Sequence, residues 1–135
     1  MKAPPAKVFD AFFRTPQNWL CRQAEIDLRV GGALRMDWQQ ASFEGWFAQI
    51  EQDATASVAR FSWHMTGDQL PQTMVVVRAE AVDGNETALE LEHYGFGVGE
   101  DWDDMWVGAA RAWASYLKNL RAVLELGVDL REPDE

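Results

Sequence analysis

DWDDMWVGAARAWASYLKNLRAVLEL, residues 101–126, decides the fold. Trp102, Trp106, Trp113, Leu117, Leu120 and Leu124 recur at steps of three, four or seven residues, which places them on one wide apolar stripe of a helix. Acidic residues open the stretch, Lys118 and Arg121 come late in it and Gly127 follows it, an order that suits the helix dipole and a glycine stop. This is the only long helical pattern in the chain, and the stretch from Ala24 to His93 alternates with period two. A sheet closed by one amphipathic helix is the architecture implied, and such a layer often encloses a cavity.

Upstream of the helix, Gly95, Gly97 and Gly99 read as a hinge, and they lack the spacing of a dinucleotide fingerprint. Thr87, Leu89, Leu91 and His93 share one strand face, with Glu90 and Glu92 on the other. Asp83-Gly84 is a hairpin signal joining that strand to Thr73–Val82, where Val75, Val77 and Ala79 share a face. Residues 66–72, with Gly67 and Pro71, form a loop. Further back, Ala59, Phe61, Trp63 and Met65 alternate with polar neighbours, as do Leu34, Met36 and Trp38, and Ile26, Leu28 and Val30. In the run between them, Trp46, Ala48 and Ile50 are set against Phe47, Gln49 and Glu51. Gly31-Gly32 suits a tight hairpin. Pro4-Pro5 opens a first short helix ending at Arg14, and Pro16 starts a second over Gln17–Arg22 with Trp19 and Leu20 inward. Leu130–Glu135 reads as a frayed tail. One domain, residues 1–135, accounts for the whole pattern.

Composition narrows the function. The chain has 135 residues, 47% of them hydrophobic, with seven tryptophans and a formal net charge of −10. That length buries about two-thirds of the unfolded surface, so a substantial core is expected. The charge repels polyanions, which argues against nucleic acid and anionic membranes as partners. No apolar run approaches the roughly 20 residues that span a bilayer, and no leader pattern begins the chain, so a cytoplasmic protein is expected. Cys21 is the only cysteine and there are two histidines, too few to build a structural zinc site, and no metal or cofactor is expected.

The order of elements, two short helices, antiparallel strands and a long final helix, resembles the helix-grip fold. Ala3-Pro4-Pro5-Ala6-Lys7-Val8-Phe9-Asp10-Ala11-Phe12 is similar to the opening helix of the START-like (SRPBCC) superfamily. Asp27-Leu28-Arg29-Val30-Gly31-Gly32, Glu44-Gly45 and Thr87-Ala88-Leu89-Glu90-Leu91-Glu92-His93-Tyr94-Gly95-Phe96 follow in the expected order. Trp113, Tyr116, Leu117, Leu120, Leu124 and Gly127 match the end of the last helix. Together they resemble the subgroup named after activators of the ninety-kilodalton heat-shock chaperone ATPase. The resemblance implies an α+β helix-grip fold, a curved antiparallel sheet packed on one C-terminal helix. Members usually carry a strand before the Ala-Pro-Pro segment, where only Met1 and Lys2 stand here, so a missing first strand and a bare sheet edge are expected. A bare edge invites a homodimer or another cover. The additional chaperone-binding domain of the eukaryotic activators has no counterpart in this sequence, which counts against chaperone stimulation.

If the apolar strand faces turn toward the helix, Trp38, Trp46, Phe61, Trp63, Val75, Val77, Leu89 and Leu91 face Trp106, Ala110 and Trp113. These aromatics either fill a solid core or line a cavity for a small apolar molecule, and Gly108, Ala109, Ala110 and Ala112 argue for space. His93 falls on the same face and aligns with a histidine common in the subgroup. Desolvation there favours its neutral form, either orienting a ligand or acting as a base, or else satisfied by a hydroxyl or carbonyl of the core. His64, Arg60 and Arg78 fall on the outer face, the arginines as cross-strand partners for Glu90 or Glu92. Glu100, Asp101, Asp103 and Asp104 read as helix capping rather than a calcium loop, and Cys21 as a small buried filler beside Trp19. No nucleophilic triad is spaced for catalysis. Ligand binding is therefore the first reading and enzymatic activity is not expected. The alternatives are a cavity enzyme of cyclase or hydrolase type using His93, and a protein-interaction module with an exposed apolar patch at the uncovered sheet edge or on Phe43, Phe47 and Phe96.

Overall fold

The computed structural model describes residues 1–83 and 85–132. Helix α1 (Pro5–Phe13) has proline in its first turn, where a missing N–H costs nothing. Val8, Phe9, Phe12 and Phe13 are buried along one face. The second expected helix is a single 3-10 turn, Pro16–Asn18. The Pro16 carbonyl takes the N–H groups of Trp19, Leu20 and Cys21 together, and Arg22 N–H already donates to Asp37 of the sheet. With those donors spent, no further turn can propagate. The Trp19 indole donates to the Ala11 carbonyl at 2.8 Å and meets Phe12 edge-on, tying the turn to α1.

Six strands follow in an antiparallel meander, each paired with its sequence neighbour: β1 (Gln23–Ile26), β2 (Ala33–Asp37), β3 (Ser42–Gln52), β4 (Ala56–Met65), β5 (Thr73–Ala81) and β6 (Thr87–Tyr94). The curved open sheet and the long helix α2 (Glu100–Leu126) make the α+β helix-grip architecture. Alternation put the inner faces of β2, β4 and β5 where they are: Leu34, Met36, Ala59, Phe61, Trp63, Val75, Val77 and Ala79 are all buried. The Gly31-Gly32 hairpin is wider than expected. Leu28 and Val30 leave the ladder, and a six-residue connection, Asp27–Gly32, folds on its own backbone bonds. The last ladder pair of β5 and β6 is Ala81 with Thr87. Of the expected Asp83-Gly84 turn, Gly84 lies outside the described residues.

β3 breaks the alternation. Phe47 pairs with Phe61 and Gln49 with Arg60, so Ala48 is an extra residue, a β-bulge. Before it Phe43 and Phe47 face the core; after it Ile50 does. Trp46 therefore turns outward and is 44% exposed, against the inward placement that strict alternation gives. Gly45 marks the distortion: a β-carbon there would lie 1.8 Å from the Ser62 carbonyl oxygen.

Met1 exchanges two backbone hydrogen bonds with Thr87, N–H to carbonyl at 2.7 Å and 2.8 Å, so the chain start lies on the first residue of the β6 edge. At the other end, α2 stops on Gly127, which adopts the left-handed φ of 68° that closes a helix. The following residues fold back: Leu130 N–H donates to Asn119 Oδ1, and Arg131 donates to the Cys21 and Gln17 carbonyls. Leu130 and Arg131 are thus anchored rather than frayed, while 133–135 lie outside the described residues. Buried Asn119 also donates to the Trp19 carbonyl at 2.8 Å and to Asp129. One amide joins helix, N-terminal turn and tail. Asn119→Ala strands a buried carbonyl and N–H, so it is expected to lower unfolding free energy by about 2 kcal/mol in a urea titration; a change below about 0.5 kcal/mol would refute the hub.

Cys21 is buried, as its reading as filler requires, and burial pushes its thiol up to about 12. Among the described residues no helix is long and apolar enough to cross a membrane.

Candidate ligand cavity

The two halves of α2 meet the sheet differently. Its C-terminal half is seated, with Leu120 fully buried and Leu117, Val123 and Leu124 against the main core. Its N-terminal half stands off, with Trp106 57% exposed and Val107 40%. Between the two lies Trp113, against Trp63 at 5.6 Å and Phe12 at 6.5 Å between ring centroids, with only the small side chain of Ala109 packed on the same core one turn earlier.

Beside that contact a cavity of about 1060 Å³ opens between the sheet, the 66–72 loop and the helix. Trp38, Phe43, Trp63 and Thr73 form its sheet wall, and Met105, Gly108, Ala109, Ala112 and Tyr116 its helix wall. Phe43 and Trp63 stack at 4.7 Å, and Trp38 stands at nearly right angles to both. Small residues at 108, 109 and 112 are why the helix wall leaves room, as an added β-carbon at Gly108 would meet nothing within 4 Å. Among the described residues the buried Trp38 indole N–H has no hydrogen-bond partner.

His93 closes the inner end, and its hydrogen bonds fix its state. The Trp113 indole N–H donates to His93 Nδ1 at 3.0 Å, so Nδ1 must carry a lone pair. Nε2 then holds the proton and donates to Thr73 Oγ1 at 2.6 Å, and the Thr73 hydroxyl donates to the Trp63 carbonyl at 3.1 Å. Burial pushes the imidazole down to about 4. The histidine is neutral, in one tautomer, and satisfied at both nitrogens by protein groups, which joins α2 to three strands. Neither nitrogen is free to take a proton from a substrate.

The chain matches the model of the family described as AHSA1, Activator of Hsp90 ATPase homolog 1-like protein, over residues 2–125. It belongs to that family. Solved structures share its fold, among them these two. CalU16 from Micromonospora echinospora is 23% identical with a TM-score of 0.69, covering 94% of this chain and 73% of CalU16. An uncharacterised protein from Rhizobium leguminosarum is 18% identical with a TM-score of 0.62, covering 93% of this chain and 89% of the other. Identities this low carry the fold alone. Curated proteins give no sequence match.

Within this AHSA1-type fold the residues singled out by sequence separate into four groups. Trp38, Trp63, His93 and Trp113 line the cavity. Leu91, Trp106 and Ala110 lie on the other side of His93, around a smaller hollow of about 250 Å³ that also touches Phe96. Phe61, Val75 and Val77 are solid core, at most 1% exposed, with Phe61 edge-on to Phe13 and Phe47. Trp46 belongs to the outer face, in an open depression of about 870 Å³ lined by residues of β1–β4 with Asp27 and Gln72. Of the three phenylalanines expected to be exposed, Phe47 is fully buried and Phe43 and Phe96 are half-buried, so those three do not form an exposed patch. Arg78 pairs with Glu92 at 3.4 Å, as its outer position implied.

Alternation placed His64 on the surface, but its ring reaches the cavity rim. Its Nε2 lies 3.1 Å from the Asp68 and Leu70 carbonyls and donates to both, while Leu70 N–H donates to Asp68 Oδ1. His64 thus pins the loop that frames the mouth. Thr73 and Tyr116 were also missed as wall residues. Tyr116 sits three residues after Trp113, a helical step that places it on the same face.

Proposed function

We propose that the protein binds a small, largely apolar molecule in the space between the sheet and the N-terminal half of α2. The single observation behind this reading is the stand-off of α2 over an aromatic wall, at a volume near the upper end of the usual ~300–1,000 Å³ for ligand sites. The family supports it, since its members commonly bind hydrophobic ligands. The engagement of His93 at both nitrogens favours binding over catalysis. One chain supplies every lining residue, so this reading does not depend on whether a second copy covers the sheet edge.

Gly108→Leu tests the reading. The side chain grows into empty space on the cavity wall, and leucine is a better helix former than glycine by nearly 1 kcal/mol. We expect calorimetric binding of 2-(2-naphthyl)ethanol to fall at least tenfold while the melting temperature holds or rises. Equal affinity in the variant and the parent protein would place the ligand elsewhere.

A further inference from the structure

We propose that the natural ligand of this cavity is an amphiphile carrying a positively charged amine at its outer end. This deepens the apolar-cavity reading and rests on it.

The charges around the cavity are of one sign. Asp68, Asp101 and Asp104 line it, and no lysine or arginine does. They come from two separate elements, the 66–72 loop and the start of α2, so one local sequence bias does not account for their convergence. Among the described residues none of the three takes part in an ion pair, although arginines elsewhere on the surface find carboxylate partners. Position along α2 sorts the wall. Residues 101, 104, 105, 108, 112 and 116 follow steps of three and four and form one stripe of the helix. That stripe runs from two carboxylates through methionine, glycine and alanine to tyrosine, from charged rim to apolar interior. Asp101 lies in the first turn and partly offsets the helix dipole. Asp104 lies beyond that turn, where the dipole no longer calls for an anion.

The interior suits the same ligand. Trp38, Trp63 and Tyr116 offer aromatic surface that attracts a cation as well as an apolar body. His93 is held neutral by its two partners and adds no opposing positive charge. The chain's net charge of −10 also draws a cation toward the mouth and repels a carboxylate. A fatty acid or an acidic aromatic meets three unpaired carboxylates at the entrance.

Three probes with one ring system separate the possibilities: 2-(2-naphthyl)ethylamine, 2-(2-naphthyl)ethanol and 2-naphthylacetate, titrated calorimetrically at neutral pH. The amine is expected to bind about tenfold more tightly than the alcohol, each exposed carboxylate contributing a factor of a few, and the acid more weakly than both. Raising salt from about 20 mM to about 0.5 M should shrink the amine-to-alcohol ratio toward one, because that ionic strength screens charges a few ångströms apart. In the triple variant Asp68→Asn, Asp101→Asn, Asp104→Asn the ratio should also approach one. Amine and alcohol binding equally in the parent protein at low salt, or the acid binding best, overturns the charge preference and leaves the cavity standing. No binding by any of the three removes both readings. The salt series needs no variant, so it decides the matter even where the triple substitution weakens the fold.

Discussion

Trp113→Ala is expected to lower unfolding free energy by about 3–5 kcal/mol, the range for a buried tryptophan removed from a core. The ring is only 7% exposed and touches Phe12, Trp63, His93 and Tyr116. It is also the large side chain by which the helix rests on the sheet beside the cavity, so its loss leaves the N-terminal half of α2 held only by small contacts such as Ala109 on the core and Trp102 on Phe96. Binding of the naphthyl probes should disappear with it. Trp113→Phe separates ring from N–H: most of the packing stays, and His93 Nδ1 loses its donor at a cost of about 1–2 kcal/mol. Urea titrations of the three proteins give the comparison. A loss below about 1 kcal/mol for the alanine variant would mean that the helix is held by its C-terminal half alone and that Trp113 is a bystander.

Trp113 was readable because the signal that exposes it is local and repeated: helical steps over 26 residues leave no other face for it. The strands were readable for the same reason wherever alternation ran unbroken. It failed at Trp46, where one inserted residue at Ala48 inverts the faces, and the sequence does contain a mark of this. A glycine inside an otherwise β-rich run often signals close backbone approach, and Gly45 lies against the Ser62 carbonyl. Trp106 failed for another reason. A heptad step keeps it near the stripe of Trp113, but whether a stripe touches anything depends on how the helix is tilted over the sheet, which no local pattern encodes. Phe61, Val75 and Val77 share a face with Trp63 yet lie in solid core, because α1 covers that part of the sheet and α2 the other. Thr73 matters through a partner 20 residues away, visible only once the sheet register is set, and His64 through carbonyls of a loop whose path no periodic pattern encodes.

The His93 network also predicts how stability follows pH. Below its ordinary value of 6.5 the imidazole of the unfolded chain takes a proton, whereas in the folded protein it stays neutral down to about 4. Protonation would turn Nδ1 from acceptor into donor, facing the Trp113 N–H, and break the tie between α2 and β6. Between those two values the unfolded state therefore binds the extra proton, so stability rises with pH there, is complete above about 6.5 and is lost as pH falls toward 4. A full proton corresponds to a slope of about 1.4 kcal/mol per pH unit, and from pH 7 to about 4.5 the loss is at most about 2.5 kcal/mol. Glu125, held below its usual 4.5 chiefly by the Arg121 hydrogen bond, overlaps the acid end of this window, and other groups act outside it. The Arg131 hydrogen bonds hold Asp129 down at about 2 from its usual 3.8, so its contribution falls away only below about pH 4. Burial holds the Cys21 thiol protonated up to about 12 against an ordinary 9.0, which lowers stability only as pH rises past 9. The chain's overall negative charge works the opposite way, since acid relieves its self-repulsion. Comparing the parent protein with His93→Gln removes that common term. The variant should start less stable at pH 7 and show a flatter curve between pH 4.5 and 6.5. Parallel curves would mean that His93 titrates alike in both states, and the neutral, doubly bonded imidazole at the inner end of the cavity would have to be given up.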